Sequence, residues 1–181
     1  TLVLFTSHSQ LQATYRAITR PLEEDGIIVI AQNLDGSRRQ VLETFKTQER
    51  TALLGTKSFW EGIDVEGEQL RLVIIPKLPF PGTEPLIEAQ RNQVIHECLE
   101  YGMDQRNSDI AAFKRVNFVN MMIDIRQGAG RLIRSKHDRG VVAVLDSRIS
   151  DSRAKGVSKS YAREVRAALQ LPVTHDLDYV L

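Results

Sequence analysis

The stretch RQGAGRLIRSKHDRG, from Arg126 to Gly140, sets five arginines and lysines around one glutamine and two interior glycines. If the stretch is helical, Gln127 and Arg131 are four residues apart and Arg131 and Arg134 three, which puts all three on one face. A glycine inside a helix costs about 1 kcal/mol relative to alanine, so Gly128 and Gly130 need a reason. They remove side chains beside the arginine face and let another surface approach it. A guanidinium is planar, permanently charged and able to grip phosphate oxygens with several donors. Aimed at a γ-phosphate, it stabilises the transition state of phosphoryl transfer. By spacing alone, a basic surface helix paired with acidic neighbours is the commoner arrangement.

A second stretch, GTKSFWEGIDVEG (Gly55–Gly67), collects other polar chemistry. Thr56 and Ser58 bring hydroxyls, Lys57 a positive charge, and Glu61 and Asp64 carboxylates. Such a loop can hydrogen-bond phosphates or hold solvent around a metal-bound nucleotide; it can equally be a turn with solvated charges. Trp60 could stack on a base, although a tryptophan in such a loop more often anchors a core. The pattern G-x-x-x-x-G-K-[ST] occurs nowhere in the chain, so it has no P-loop. A complete nucleotide-hydrolysing motor also needs an acidic, metal-binding strand end, and none is visible.

Short apolar runs must position these residues. Thr1–Ser7, Ile27–Ala31, Thr51–Thr56, Leu70–Pro76 and Gly140–Asp146 read as five buried strands. Helical spacing of Leu11, Tyr15, Ile18 and Leu22 predicts a helix over Ser9–Glu24, with Pro21 putting its last turn in question. A second helix is expected over Gly36–Gln48, two or three over Glu84–Gln127, and one over Ser160–Leu169. Strands alternating with helices give an α/β fold with a parallel sheet covered on both faces. Ligands of such sheets sit outside the carboxyl ends of the strands. That singles out Ser7-His8, Gln32-Asn33, Thr56-Lys57-Ser58, Pro76-Lys77 and Asp146-Ser147-Arg148.

Composition narrows the class. A chain of 181 residues with 42% hydrophobic and 26% charged residues can bury a sizeable core. Its formal net charge of +1 makes any basic site a local arrangement. Cys98 is the only cysteine, so it forms no internal disulfide and supplies no four-cysteine cluster; its helical context predicts that it packs. Such usage fits a reducing, intracellular setting, and a cytoplasmic location is expected. No apolar run approaches the roughly 20 residues of a membrane span. His96, His137 and His175 are scattered and show no metal-ligand spacing. Arg91, Arg106, Lys114 and Arg115 read as a solvated helical face, with a secondary role near a nucleic acid as the other possibility. No repeat, linker or internal domain boundary is evident. The start at Thr1, inside a strand pattern and without signal peptide or initiator methionine, suggests a piece of a longer protein.

Taken together, TSHSQLQ, LLGTKSFWEGIDVEGEQLRLVIIPKLPF and RQGAGRLIRSKHDRGVVAVLDSR resemble motifs IV, V and VI of the second motor domain of DinG/XPD-like superfamily 2 DNA helicases, the bacterial DinG branch in particular. The resemblance runs in order from Thr1 to about Arg148, and QGAGRLIR with WEGID is specific as a pair. It implies a RecA-like domain over 1–181, with a helical insert at about 84–125 and a C-terminal extension at about 150–181. It implies ATP, with Mg2+, bound between this domain and an N-terminal motor domain of the same polypeptide that carries the P-loop. By the resemblance, Gln127, Arg131 and Arg134 correspond to the motif VI glutamine and arginines, with Arg134 favoured as the finger and Arg131 as its partner. Gly62, Asp64, Glu61 and Gly130 fall at the nucleotide, and Ser7, His8, Lys57 and Ser58 at the backbone of single-stranded DNA. No metal ligand is implied within the chain. The family includes members with an iron–sulfur cluster in the first motor domain and bacterial members with an exonuclease-like domain instead. The motifs present therefore speak for half of an ATP-driven motor more than for duplex unwinding. A non-catalytic nucleic-acid-binding or regulatory domain of a DinG-like exonuclease is the alternative. Binding of DNA by this chain alone is expected to be weak and salt-sensitive.

Overall fold

The computed structural model describes residues 1–56, 59, 70–132, 139–149, 161–169 and 172. Five short strands form one wholly parallel sheet: β1 (Leu2–Leu4), β2 (Ile28–Ala31), β3 (Thr51–Gly55), β4 (Leu72–Ile75) and β5 (Val141–Val144). Their order across the sheet is β2-β3-β1-β4-β5. Leu2 pairs with Leu53 on one side and with Val73 on the other, so β1 runs along the middle.

Alternation of side chains along each strand splits the core into two layers. Leu2, Leu4, Ile30, Leu53, Val73 and Ile75 point to one face, where Val41 and Phe45 of α2 (Arg38–Thr47) cover them. Val3, Phe5, Val29, Ala31, Ala52 and Leu54 point to the other, against Leu11, Tyr15, Ile18 and Leu22 of α1 (His8–Glu24). Burial on both faces is why the strands read as continuous apolar runs. Fully burying each valine, leucine, isoleucine or phenylalanine among them contributes about 1.5–3 kcal/mol. Helix α1 runs through Pro21, and Gly26 at φ 71° turns the chain back into β2. Helix α2 begins at a capping box, in which Ser37 accepts from the Gln40 N–H and the Gln40 side chain accepts from the Ser37 N–H.

The chain divides into two compact units, Thr1–Leu78 with Arg126–Leu181, and Pro79–Ile125. No break in composition marks either junction; the division is one of packing. The second unit holds α3 (Pro85–Glu100), α4 (Gln105–Ala112) and a π-helical stretch, Phe113–Phe118, that leads into α5 (Val119–Ala129). Within this unit Phe80 stacks on Phe113 at 5.5 Å between ring centroids, and Arg91 donates to the side chain of buried Asn117 at 2.8 Å. That bond removes Arg91 from the solvated face the sequence suggested. Cys98 is buried, as its helical context predicted. Helix α6 (Ala162–Leu169) belongs to the first unit.

Candidate functional site

Carboxyl ends of the three strands β2, β3 and β1 bring a polar cluster together. Thr56, the first residue after β3, is 7% exposed, and Gln32, the first after β2, is 9% exposed. Gln32 Oε1 accepts from the Thr56 N–H at 2.9 Å and from the Thr56 hydroxyl at 2.9 Å. His8, the first residue of α1, reaches the same hydroxyl oxygen with Nε2 at 3.5 Å. Ser7 precedes it as the N-cap, accepting from the Gln10 N–H at 3.3 Å and lying 3.3 Å from the Ser9 hydroxyl.

The exit of β2 is built to hold Gln32 in place. Asn33 adopts φ 63°, a left-handed conformation that asparagine tolerates better than most residues. The turn brings Asp35 back, so that its carboxylate accepts from the Ala31 N–H at 2.8 Å and from the Tyr15 hydroxyl at 2.9 Å. Burial and this carboxylate both raise the Tyr15 hydroxyl above its ordinary value.

A second cluster closes the other half of the same sheet edge. Asp146, just past β5, accepts from the Leu78 N–H at 2.8 Å across a sequence separation of 68 residues. It also accepts from the Arg148 N–H and from Arg148 Nε, each at 2.9 Å. Burial pushes the Asp146 carboxyl up, but the Arg148 side-chain bonds, the two backbone N–H groups and the Arg148 charge outweigh it and hold it down at about 2. Arg148 is raised in turn, chiefly by its bonds to Asp146.

The arginine stretch lies elsewhere. Helix α5 ends at Ala129, so the expected single helix through Gln127 and Arg131 is corrected. The Gly130 N–H still donates to Arg126 O at 2.8 Å, but Arg131 and Leu132 donate only three residues back, to Gly128 O at 3.2 Å and Ala129 O at 3.0 Å. Two glycines around Ala129 weaken the helix, and Leu132 turns into the first-unit core, where it is 3% exposed. The reason for Gly130 is local as well: a Cβ there would stand 3.0 Å from Arg126 O. Leu132 packs on Gly140, whose own Cβ would fall 2.6 Å from both Leu132 Cδ1 and Arg71 O. Gly140 leads into β5, so this turn sits at the amino end of the sheet. Arg131 is half-buried, Gln127 is exposed, and Gly128 is buried. Arg126 Nε donates to Ala168 O near the end of α6 at 3.0 Å, a favourable place for a cation. An open cleft of about 890 Å³ also lies at the amino ends, lined by Phe45, Lys46, Arg50, Thr51 and Arg71 among others; none of the candidates contributes to it.

The structure thus brings Ser7, His8 and Thr56 together and sets Arg131 and Gln127 apart from them. Lys57, Ser58, Trp60, Glu61, Gly62, Asp64, Gly67, Arg134, His137 and His175 lie outside the described residues. Lys77 is exposed just before Leu78. The pairings Gln32–Thr56 and Asp146–Leu78–Arg148 escaped sequence reasoning. Their positions after strands were the available signal, and long-range side-chain pairing was not. Among the described residues no group of three or more His, Cys, Asp or Glu forms a metal site, and no helix is long and apolar enough to cross a membrane.

A parallel sheet covered on both faces, with polar clusters at its strand ends and an arginine turn at its opposite edge, defines a RecA-like α/β domain. The family profile described as "Helicase C-terminal domain" matches residues 1–164, and the chain belongs to that family. It is 35% identical over 149 residues to the 3'-5' exonuclease DinG of Bacillus subtilis, covering 82% of this chain and 15% of that protein. It is 37% identical over 148 residues to the ATP-dependent DNA helicase YoaA of Haemophilus influenzae, covering 81% of this chain and 21% of that protein. The solved structure of S. tokodaii Xpd4 shares the fold with a TM-score of 0.54 at 21% identity, over 94% of this chain and 28% of that one. The chain therefore spans about a fifth or less of the length of these two relatives.

Proposed function

We propose that this chain is the second motor domain of an ATP-dependent DNA helicase or translocase, working with a P-loop domain and a single strand of DNA. The observation that carries the reading is the core-anchored arginine turn. Leu132, locked between Gly140 and the sheet core, fixes the backbone that presents Arg131. An anchored backbone limits where the guanidinium can reach, which suits a polyphosphate that it must meet at one place. ATP supplies the phosphoanhydride whose hydrolysis drives movement. Arg131 and Arg134 would neutralise charge on its phosphates from across the cleft, Gln127 would orient solvent or phosphate beside them, and Gly130 would allow close approach. Glu61, Gly62 and Asp64 would link the nucleotide to the arginine turn. Mg2+ would be held by the P-loop domain. Ser7, His8, Lys57 and Ser58 would meet the phosphate backbone of the strand, as hydroxyls, imidazole and one cation suit sequence-independent contact. The helicase and DNA named for the Haemophilus relative support this reading.

The test is DNA-stimulated ATP hydrolysis by the full-length protein. Arg131→Ala and Arg134→Ala should each lower the turnover rate by about a hundredfold or more while DNA binding persists. Normal hydrolysis in both variants would remove the arginine assignment. The exonuclease named for the Bacillus relative favours a second reading, a regulatory or nucleic-acid-binding domain without turnover. Absence of any ATP hydrolysis by the wild-type full-length protein would select it.

A further inference from the structure

We infer that Gln32 is a positioning residue for the strand-contacting edge of the sheet: it sets the direction of the Thr56 hydroxyl and, through it, the tautomer of His8. This deepens the proposal above and rests on its placing of DNA at Ser7 and His8.

The hydrogen-bond chain has only one consistent polarity. The Thr56 backbone N–H can only donate, so the Gln32 atom 2.9 Å away is the amide oxygen, not the amide nitrogen. That oxygen carries no hydrogen. The Thr56 hydroxyl at 2.9 Å from the same oxygen must therefore donate its single proton to it. Thr56 Oγ1 is left with lone pairs alone, so His8 Nε2, at 3.5 Å, can bond to it only by donating. Gln32 thereby favours the Nε2–H form of neutral His8 and leaves Nδ1 to face other groups. Thr56 cannot offer its proton to a phosphate while this chain is intact, and its main chain is tied inward just before Lys57. The Gln32 amide is fixed by two bonds at its oxygen, and neither uses its NH2 group. Gln32 is 9% exposed and Thr56 7%, so this pair is built into the strand end, and the exposed His8 ring meets it from the solvent side at 3.5 Å.

The experiment uses this chain as it stands and has two readouts. The first is the 15N signature of the His8 ring by NMR, without DNA. The second is anisotropy of a labelled single-stranded oligonucleotide. In the wild type, His8 should show the Nε2–H tautomer. Gln32→Ala frees the Thr56 proton, so the two tautomers should mix and strand affinity should fall roughly three- to tenfold. Gln32→Glu keeps an acceptor for both Thr56 donors and should restore the Nε2–H signature. Its negative charge beside the phosphates should still weaken strand binding, so the two readouts part company in this variant. A His8 signature unchanged in Gln32→Ala overturns the positioning role whatever DNA does. So does a folded Gln32→Glu that lacks the Nε2–H signature, whether or not Gln32→Ala folds. A wild-type chain that shows the tautomer but binds no oligonucleotide leaves the positioning role standing and sinks the DNA assignment instead.

Discussion

At the scale of single residues, Asp146 has the clearest electrostatic consequence. Its carboxylate joins the exit of β4 to the exit of β5 through the Leu78 N–H and the Arg148 guanidinium. Its folded pKa of about 2 lies below the ordinary aspartate value of 3.8. A group held below its unfolded value stabilises the fold above the unfolded pKa, and that contribution is lost as pH falls through the folded one. The window is therefore about pH 4 down to 2. Discounted for solvent screening at the strand end, the contribution is about 1 kcal/mol. Asp146→Asn keeps an acceptor for Leu78 but removes the charge, so it should cost about 1–2 kcal/mol at neutral pH in urea denaturation. It should also lose less stability than the wild type between pH 4 and 2. Parallel acid profiles for the two proteins would rule out Asp146 as the titrating group. In the sequence, Asp146 and Arg148 stand out only as residues that follow a strand. Nothing there could show that a partner 68 positions away would close on them, because such pairing depends on strand order.

At the scale of elements, hydrophobic runs located all five strands to within two or three residues at either end. They did so because burial on both sheet faces leaves an unbroken apolar signal. The helices were legible where one face is buried, as in α1 and α2. Periodicity could not reveal the π-helical stretch before α5, since one wider turn only shifts the phase of the pattern. Nor could spacing tell a continued helix from the turn that carries Arg131. What decides there is Leu132 entering the core against Gly140. Gly140→Ala tests that packing directly. Its Cβ would stand 2.6 Å from Arg71 O, a backbone atom held by a bond from the Val141 N–H at 2.8 Å. Leu132 can shift; the carbonyl cannot do so without breaking the start of β5. Overpacking of this kind costs about 1–3 kcal/mol, measurable as a lower urea midpoint at constant m-value. A change below about 0.5 kcal/mol would mean that the turn is loosely held and that Arg131 has no rigid mount.

At the scale of the whole sheet, the two clusters of candidates occupy opposite ends. His8 and Thr56 stand past the carboxyl ends of β1 and β3, and the Arg131 turn stands at the amino end of β5. A strand of four residues rises about 13 Å. That exceeds the roughly 7–10 Å beyond which substitutions without shared partners act independently. On the proposed function, the domain would present DNA contacts at one end of the sheet and an arginine for a nucleotide at the other. With a net charge of +1 the chain has no general positive field, so strand binding must rest on local contacts. Oligonucleotide binding by this chain should then be weak and should depend on the carboxyl-end edge. Arg131→Ala should change strand affinity less than about twofold, while His8→Ala should lower it several-fold. In the double variant the two free-energy changes should add to within about 0.5 kcal/mol. Anisotropy titrations at one fixed salt concentration decide the matter. A loss of fivefold or more from Arg131→Ala alone would put the strand at the amino end, on the arginine turn, and His8 and Thr56 would revert to bracing the sheet edge.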